Sequence, residues 1–533
     1  MVVAPEKDAA AVGLEILRGG GNAIDAAVAT AFALAVTYPR AGNLGGGGFL
    51  IYRAPDGTHA GLDFRECAPA ALTAAMFLDA SGRVDPSKSL TGGLAVGVPG
   101  SVAGLAAASE RWGTRPWPEL LAPAIRLAEE GVVVSRSSAE IDAGALSELA
   151  ADPDARAIFT HDGAPLREGD RLVQKDLAKT LRAIADRGAS GFYEGPVASA
   201  IARKSAATGG VMTTDDLLRY RAVLRSPIEG KYRGRTIVAF PPPSSGGVVL
   251  LQALGMLERF DLHASGAGSA LTLHRIAEAE RRAFADRSVY LGDPDQVRIP
   301  LPALLDPGYI RKRGAGIRDD RATPSRDMRA GNPGHGERGN TLHFSIADAR
   351  GGAVAFSTTL NSWYGAAMVA PGTGVLLNNE IDDFAMAGGA ANQFGLVGGD
   401  ANAVAGGKRP LSSMCPTIVE SSPPGPRPLM VLGSPGGPTI ISCVLQTIVH
   451  VIDDGMSLQE AVDAPRIHHQ FRPDELVHEH GAFPPEVARG LRARGHTLKD
   501  RGPIGNVCAI GLDAEGRWTG APDPRDEAVA VGY

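Results

Sequence analysis

Thr341 is the residue of this chain whose type and place are most open to nucleophilic chemistry. It follows Asn340 at the end of a charged stretch rich in Gly and Pro, 319–340 (DDRATPSRDMRAGNPGHGERGN), and begins the alternating run 341–348 (TLHFSIAD). A threonine hydroxyl attacks well only where a base removes its proton. An N-terminal threonine carries that base in its own α-amine, which titrates at about 7.7–8.0. An internal threonine lacks it, so this chemistry requires cleavage of the Asn340–Thr341 bond. The alternative is that Thr341 merely starts an ordinary strand.

Other residues could serve such a nucleophile. Gly433-Ser434-Pro435-Gly436-Gly437 stands between a predicted strand and a predicted helix. Successive glycines there can turn backbone N–H groups toward an anionic oxygen, although such a turn is also a common connection. It lacks the Lys-Ser/Thr ending of a phosphate loop, as does the run from Asn43 to Phe49, which reads as a tight turn into the strand 49–53. Glu380, Asp382 and Asp383 (NNEIDDF) suit acid–base work, an ammonium ligand or a solvated loop. Arg65 (DFRECAP) suits a bidentate carboxylate contact or a structural ion pair. Ser412 and Ser413 (KRPLSSMCPT) can donate hydroxyl hydrogen bonds or cap a turn. His468, His469, His478 and His480 invite a metal reading, but neighbouring strand residues face opposite ways and no acidic or Cys partner has ligand spacing.

The elements that must position these groups follow from periodicity. Helices are predicted at 8–18, 22–37, 101–110, 117–130, 174–187, 196–207 and 271–286, so the first 300 or so residues read as mostly helical. The stretch 319–340 has no apolar periodicity and reads as a mobile linker. After it, 341–348 and 353–359 alternate as strands around the turn 349–352. Paired as a hairpin, they set Asp348 opposite about Ala353 and bring Thr359 and Asn361 beside Thr341 or Leu342. Strands at 374–377, 429–432 and 507–512 and a helix at 440–452 complete the reading.

Bulk properties bound the function. With 533 residues, 44% apolar, 21% charged and a net charge of −6, the chain is globular and long enough for roughly two to four domains. No basic stripe appears, which argues against a nucleic-acid partner, and the apolar stretch 26–37 is too short to span a bilayer. Cys67, Cys415, Cys443 and Cys508 lie far apart without CxxC spacing, against both a disulfide framework and a zinc site. No export signal precedes the helical pattern near Met1, so the sequence reads as cytoplasmic or as a trimmed form.

The ordered fragments GGNAIDAAVAT, DFRECAPA, LAVGVPGSVAG, PPPSSGG, AEAERRAFADRSVYLGDP, TLHFS, TTLNSWYG, LLNNEIDDF, GLVGGDANAV, KRPLSSMCPT, GSPGGPTII and APRIHHQ span nearly the whole chain. Together they resemble the γ-glutamyltranspeptidases (γ-glutamyltransferases, glutathione hydrolases), self-processing N-terminal-nucleophile hydrolases. The resemblance implies an α+β fold, a four-layer αββα sandwich, from a large subunit (1–340) and a small subunit (341–533) that remain together as a heterodimer after cleavage. It implies that Thr341 cuts the chain after Asn340 and then attacks the substrate, with Thr359 positioning it. Arg65, Ser412 and Ser413 would hold the α-carboxylate of a γ-glutamyl group, and Asn361, Glu380 and Asp383 its α-ammonium. Gly436 and Gly437 would form the oxyanion hole.

No cofactor is implied; the partners are glutathione-like donors and amino-acid or peptide acceptors, and relatives are usually periplasmic or secreted. The segment after Asp383 resembles a lid loop, with Phe394 where a Tyr is often seen, so a latching phenol is missing. Leu342 stands where many members have a second threonine, which raises the expectation of altered processing. Alternative readings are an acylase of the same superfamily acting on cephalosporin side chains, a poly-γ-glutamate processing enzyme, and an unprocessed homologue that binds amino acids without turnover.

Overall fold

The alternating run after the charged stretch folds as the expected hairpin. The strand Asn340–Ala347 pairs antiparallel with Ala353–Asn361, and Thr341 stands directly opposite Thr359. The register is one residue tighter at the turn than expected, with Ala347 rather than Asp348 opposite Ala353. Asp348 is instead drawn into the turn, where its Oδ1 accepts from Arg350 N (2.8 Å) and Gly352 N (2.9 Å). The computed structural model describes residues 1–328, 340–386, 392–396, 398–421, 428–513 and 515–533.

The hairpin lies at the centre of a seven-stranded antiparallel sheet, in the order Val529–Val531, Val2–Ala4, Asn340–Ala347, Ala353–Asn361, Gly47–Arg53, His59–Asp63, Val223–Arg225. A second antiparallel sheet of six strands runs Trp518–Pro522, Cys508–Leu512, Pro428–Leu432, Thr417–Glu420, Arg235–Ala239, Ile228–Tyr232. The two pack face to face through the hairpin and the Pro428–Leu432 and Cys508–Leu512 strands. The first sheet's outer face carries the helices Ala23–Thr37, Ser101–Trp112, Trp117–Glu130 and Lys175–Arg187. Outside the second sheet lie Gly246–Leu257, Ala270–Tyr290 and Thr439–Ile452. This is the four-layer αββα arrangement.

The helices follow the sequence closely. Ala23–Thr37 is buried at every position, as its apolar, Ala-rich composition requires, and a capping box between Asn22 and Asp25 fixes its start. The first 300 residues are less helical than expected, because they supply strands to both sheets. Ile228–Tyr232 and Arg235–Ala239 are short strands near the sheet edge, five residues each, too short for periodicity alone to mark them.

The predicted linker 319–340 is tied down at its start. Asp319 pairs with Arg275 (2.7 Å), Ala322 N donates to Arg494 O (2.6 Å) and Ser325 N donates to Asp474 Oδ2 (2.7 Å). Polar contacts thus hold the first residues of the stretch; residues 329–339 lie outside the described residues.

The hairpin's two faces differ sharply. Leu342, Phe344 and Ile346 join the core under the Ala23–Thr37 helix. Thr341, His343 and Ser345 face the second sheet, where Ser345 Oγ lies 2.9 Å from Cys508 O. Leu342 therefore points away from the Thr341 hydroxyl and into the core. Leu342→Thr is expected to lower stability by about 1–3 kcal/mol through lost apolar burial, read from denaturant melts, while the maturation rate stays at the parental value. Faster maturation in this variant would return residue 342 to the site.

Candidate active site

Thr341 and Thr359 share one side of the hairpin because they are directly paired, and their Oγ atoms lie 3.5 Å apart. The register shifts between Asn340 and Thr341, so Asn340 pairs with Asn361 and a bulge falls at that peptide bond. Asn361 takes a left-handed backbone conformation (φ +77°). That turn directs its N–H to Thr359 Oγ1 (2.8 Å), while its side-chain amide donates to Asn379 O (2.9 Å). Thr341 is 6% exposed.

These residues open onto a small cavity that also receives Arg65, Glu380, Asp383, Phe394, Ser412, Ser413 and Gly437. Arg65 follows the strand His59–Asp63 and is anchored through its own backbone. Its N–H donates to Asp63 Oδ1 (3.0 Å), and its carbonyl accepts from Tyr220 OH (2.7 Å) and Arg409 Nη1 (2.8 Å). Its guanidinium, wholly buried, is bonded to Glu380 and Asp383 and lies 3.6 Å from Glu66.

One cation thus stands among three carboxylates. Burial works against the guanidinium's charge, but Glu380, Asp383 and Glu66 together hold Arg65 above its ordinary value. Burial likewise raises Glu380 and Asp383 above the usual carboxylate range, with Arg65 pulling the other way. Glu66, whose two oxygens have no hydrogen-bond partner among the described residues, is pushed up to about 7 by burial. Asp382 does not join this cluster. It accepts from Ser89 Oγ (2.7 Å) and Gln393 N (2.9 Å), and burial raises it to about 7.

Ser412 and Ser413 lie beside Arg65, where Ser412 Oγ accepts from Met414 N (3.1 Å) and Ser413 Oγ accepts from Arg287 Nη2 (3.2 Å). Gly437 lines the cavity with φ +59°. Gly436 lies one residue outside it, on the wall of a wider groove that also meets Ser362, Asn379 and Gln393. The two glycines lie in the turn between the strand Pro428–Leu432 and the Thr439–Ile452 helix, so their peptide groups sit at the helix's positive end.

The run Gly45–Gly48 has a packing role. An added Cβ at Gly46 would lie 2.0 Å from Thr359 O, and one at Gly48 would lie 2.1 Å from Ser357 O. The four histidines separate: His468 contacts Ser442 and Gln470, and His469 N donates to Glu280. His478 Nδ1 lies near Glu479 O and His480 beside Asp500. The described residues contain no group of three or more His, Cys, Asp or Glu placed to hold a metal.

Sequence reasoning passed over Arg287, Glu66, Tyr220 and Arg409. Arg287, on the helix Ala270–Tyr290, donates Nε to Ser245 Oγ (2.8 Å), and burial lowers it to about 10. The one available signal was its setting in a helix buried around most of its surface, which an unpaired arginine would not tolerate.

The γ-glutamyltranspeptidase family profile matches residues 9–533. The glutathione hydrolase proenzyme of Escherichia coli (strain K12) is 45% identical over 535 residues, covering 100% of this chain and 92% of that one. The acylase ACY 1 proenzyme of Pseudomonas sp. (strain V22) is 40% identical, with 100% and 93% covered. The crystal structure of cephalosporin acylase from Bacillus halodurans aligns with a TM-score of 0.88 at 29% identity, covering 100% of this chain and 95% of that one. With the profile spanning nearly every residue and relatives this similar along their whole length, the chain belongs to the γ-glutamyltranspeptidase family.

Proposed function

We propose that this protein is a self-processing γ-glutamyl hydrolase and transpeptidase that acts on glutathione and related γ-glutamyl compounds. The observation that carries the reading is one cavity holding the Thr341–Thr359 hydroxyl pair, the Arg65–Glu380–Asp383 ion cluster and the Gly437 turn. Relatives named as glutathione hydrolase proenzymes support it.

In maturation, Thr341 Oγ attacks the carbonyl carbon of Asn340, and the amide N–C bond is exchanged for an ester. The Thr341 α-amine is freed as that N–C bond breaks and takes up the Oγ proton; water then cleaves the ester, returning the Thr341 hydroxyl and leaving residues 1–340 and 341–533 as two associated chains. The amine now takes the Oγ proton as Oγ attacks the γ-carbonyl of the donor. N–H groups of Gly436 and Gly437 meet the developing oxyanion, and the departing amine leaves with a proton. Water or an amino-acid or peptide amine resolves the γ-glutamyl ester, regenerating the Thr341 hydroxyl.

Donor recognition is an exchange of ion pairs. Arg65 is already bonded to Glu380 and Asp383. A zwitterionic head group offers its α-carboxylate to Arg65, Ser412 and Ser413, and its α-ammonium to Asn361, Glu380 and Asp383. Each buried charge keeps an opposite partner throughout, and the γ-carbonyl is left facing Thr341.

A denaturing gel with N-terminal sequencing tests the reading: two bands are expected, the smaller beginning Thr-Leu-His-Phe, with hydrolysis of a γ-glutamyl anilide. A single intact band, inert toward the anilide after long incubation, would fit the non-catalytic homologue instead. The acylase reading rests on the relatives named acylases. A glutaryl-type side chain has no α-ammonium for the buried carboxylates, so γ-glutamyl amides are expected to outcompete glutaryl amides.

A further inference from the structure

The roof of the cavity is Phe394, whose ring stands over Gly437; an added Cβ on that glycine would lie 3.1 Å from Phe394 Cδ1. Phenylalanine offers no hydroxyl for a latch. Its backbone carbonyl, however, accepts a hydrogen bond from Gln470 Nε2 at 2.8 Å. Gln470 is the last residue of the APRIHHQ motif, to which the reaction assigns no role.

Gln470 is itself held in place. Its Oε1 lies 2.9 Å from His468 Nε2, and His468 Nδ1 lies 2.6 Å from Ser442 Oγ. An amide oxygen only accepts, so Nε2 carries the imidazole proton and Nδ1 accepts from the Ser442 hydroxyl. Burial keeps this ring neutral, lowering its pKa to about 3. Ser442 belongs to the Thr439–Ile452 helix, the one that begins beside Gly437. The short strand Ile467–His468 is followed by His469, whose N–H donates to the buried Glu280 carboxyl group (2.9 Å). A single rigid body therefore carries both the glycine turn and the base of the chain that reaches Phe394.

The roof's other side is attached to the donor-binding cluster. Asn392 Nδ2 donates to Asp383 Oδ1 (2.9 Å), and Asn392 Oδ1 accepts from Phe394 N (3.0 Å). That attachment involves a carboxylate that an arriving ammonium would engage. The Gln470 attachment does not involve the donor at all.

We infer that Gln470, held by His468 and Ser442, is a positioning residue that fixes Phe394 over Gly437 through the Phe394 carbonyl, and so sets access of donor and water to the acyl centre. The inference rests on the proposed roles of Thr341 and Gly437. Phe394 needs no phenol for this, because the latch is made by its backbone.

Gln470 Nε2 also donates to Arg472 O (3.2 Å), so the test compares Gln470→Leu, which loses all three side-chain hydrogen bonds, with Gln470→Glu, which keeps the acceptor for His468 and loses the donor to Phe394 and Arg472. Both variants are expected to mature. Donor KM for γ-glutamyl anilide should rise about fivefold, and partition of the ester toward water over a Gly-Gly acceptor should rise by a similar factor, with kcat changing less than about twofold. In a Phe394→Ala background, Gln470→Leu should add nothing to KM. Hydrogen–deuterium exchange of the 392–396 segment should quicken about tenfold in both variants, whether or not the anilide is a substrate. Unchanged exchange, or KM effects that add fully to those of Phe394→Ala, overturns the latch. A parent inert toward the anilide whose variants still exchange faster overturns the γ-glutamyl reading and supports the latch.

Discussion

Thr341→Ala is expected to yield one uncut chain of full length with no measurable γ-glutamyl transfer. The hydroxyl is asked to act twice, first on the Asn340 carbonyl and then on the donor, and alanine removes the attacking oxygen from both steps. Loss of a nucleophile in a unit of this kind costs on the order of 10⁶ in rate. The substitution deletes a small group that is 6% exposed, and the opposed Thr359 keeps its contact with Asn361 N, so the fold should survive. Thr341→Ser, which retains the oxygen, should still mature. Gel mobility, intact mass and anilide hydrolysis read the result together. A Thr341→Ala protein that still separates into two chains would place the nucleophile elsewhere.

Arg65→Met should be the most damaging substitution outside the nucleophile. The side chain is wholly buried and bonded to Glu380 and Asp383, with Glu66 at 3.6 Å. Removing one partner of a buried ion pair costs about 3–5 kcal/mol, because the remaining charge has neither water nor a counterion. Burial already raises Glu380 and Asp383, and the lost cation was the largest charge lowering them, Arg287 remaining as a weaker one beside Asp383. Their folded-state pKa values should therefore rise further. For a carboxyl group raised in the folded state, the stabilisation is present below the unfolded value and disappears as pH climbs through the folded one. The deficit in denaturant melts should accordingly be larger at pH 8 than at pH 5.

Donor binding suffers separately, since methionine offers the α-carboxylate nothing. Arg65→Lys distinguishes the two effects: it keeps the charge but loses the planar fork that reaches two carboxylates at once. It should recover most of the stability while donor kcat/KM stays down by about 100-fold. Equal recovery of both would make Arg65 a structural ion pair only.

Thr341 was legible because its signals are local. A charged stretch rich in Gly and Pro meets an alternating strand, and counting back from one turn brings Thr359 alongside within a single residue. The helices Ala23–Thr37 and Trp117–Glu130 were equally plain, since the capping box and apolar, Ala-rich run of the first and the amphipathic spacing of the second lie within or beside their own residues. The short strands Ile228–Tyr232 and Arg235–Ala239 were not, because their place depends on neighbours far away in the chain.

Sequence alone determined the hairpin, most of the helical layers and, through the order of its motifs, the family. It could not decide which of three neighbouring acids meets Arg65. Glu380 and Asp383 do, whereas Asp382 turns to Ser89, and the choice is made by the single turn Glu380–Asp383 that carries all three. Nor could it decide which face of the hairpin meets the second sheet, because the period of two fixes alternation but only sheet packing says which side is which. The same holds for Gln470, 76 residues from Phe394 in sequence yet bonded to its carbonyl. Contacts within an element are written in its own spacing; contacts between elements exist only once burial has stacked the layers.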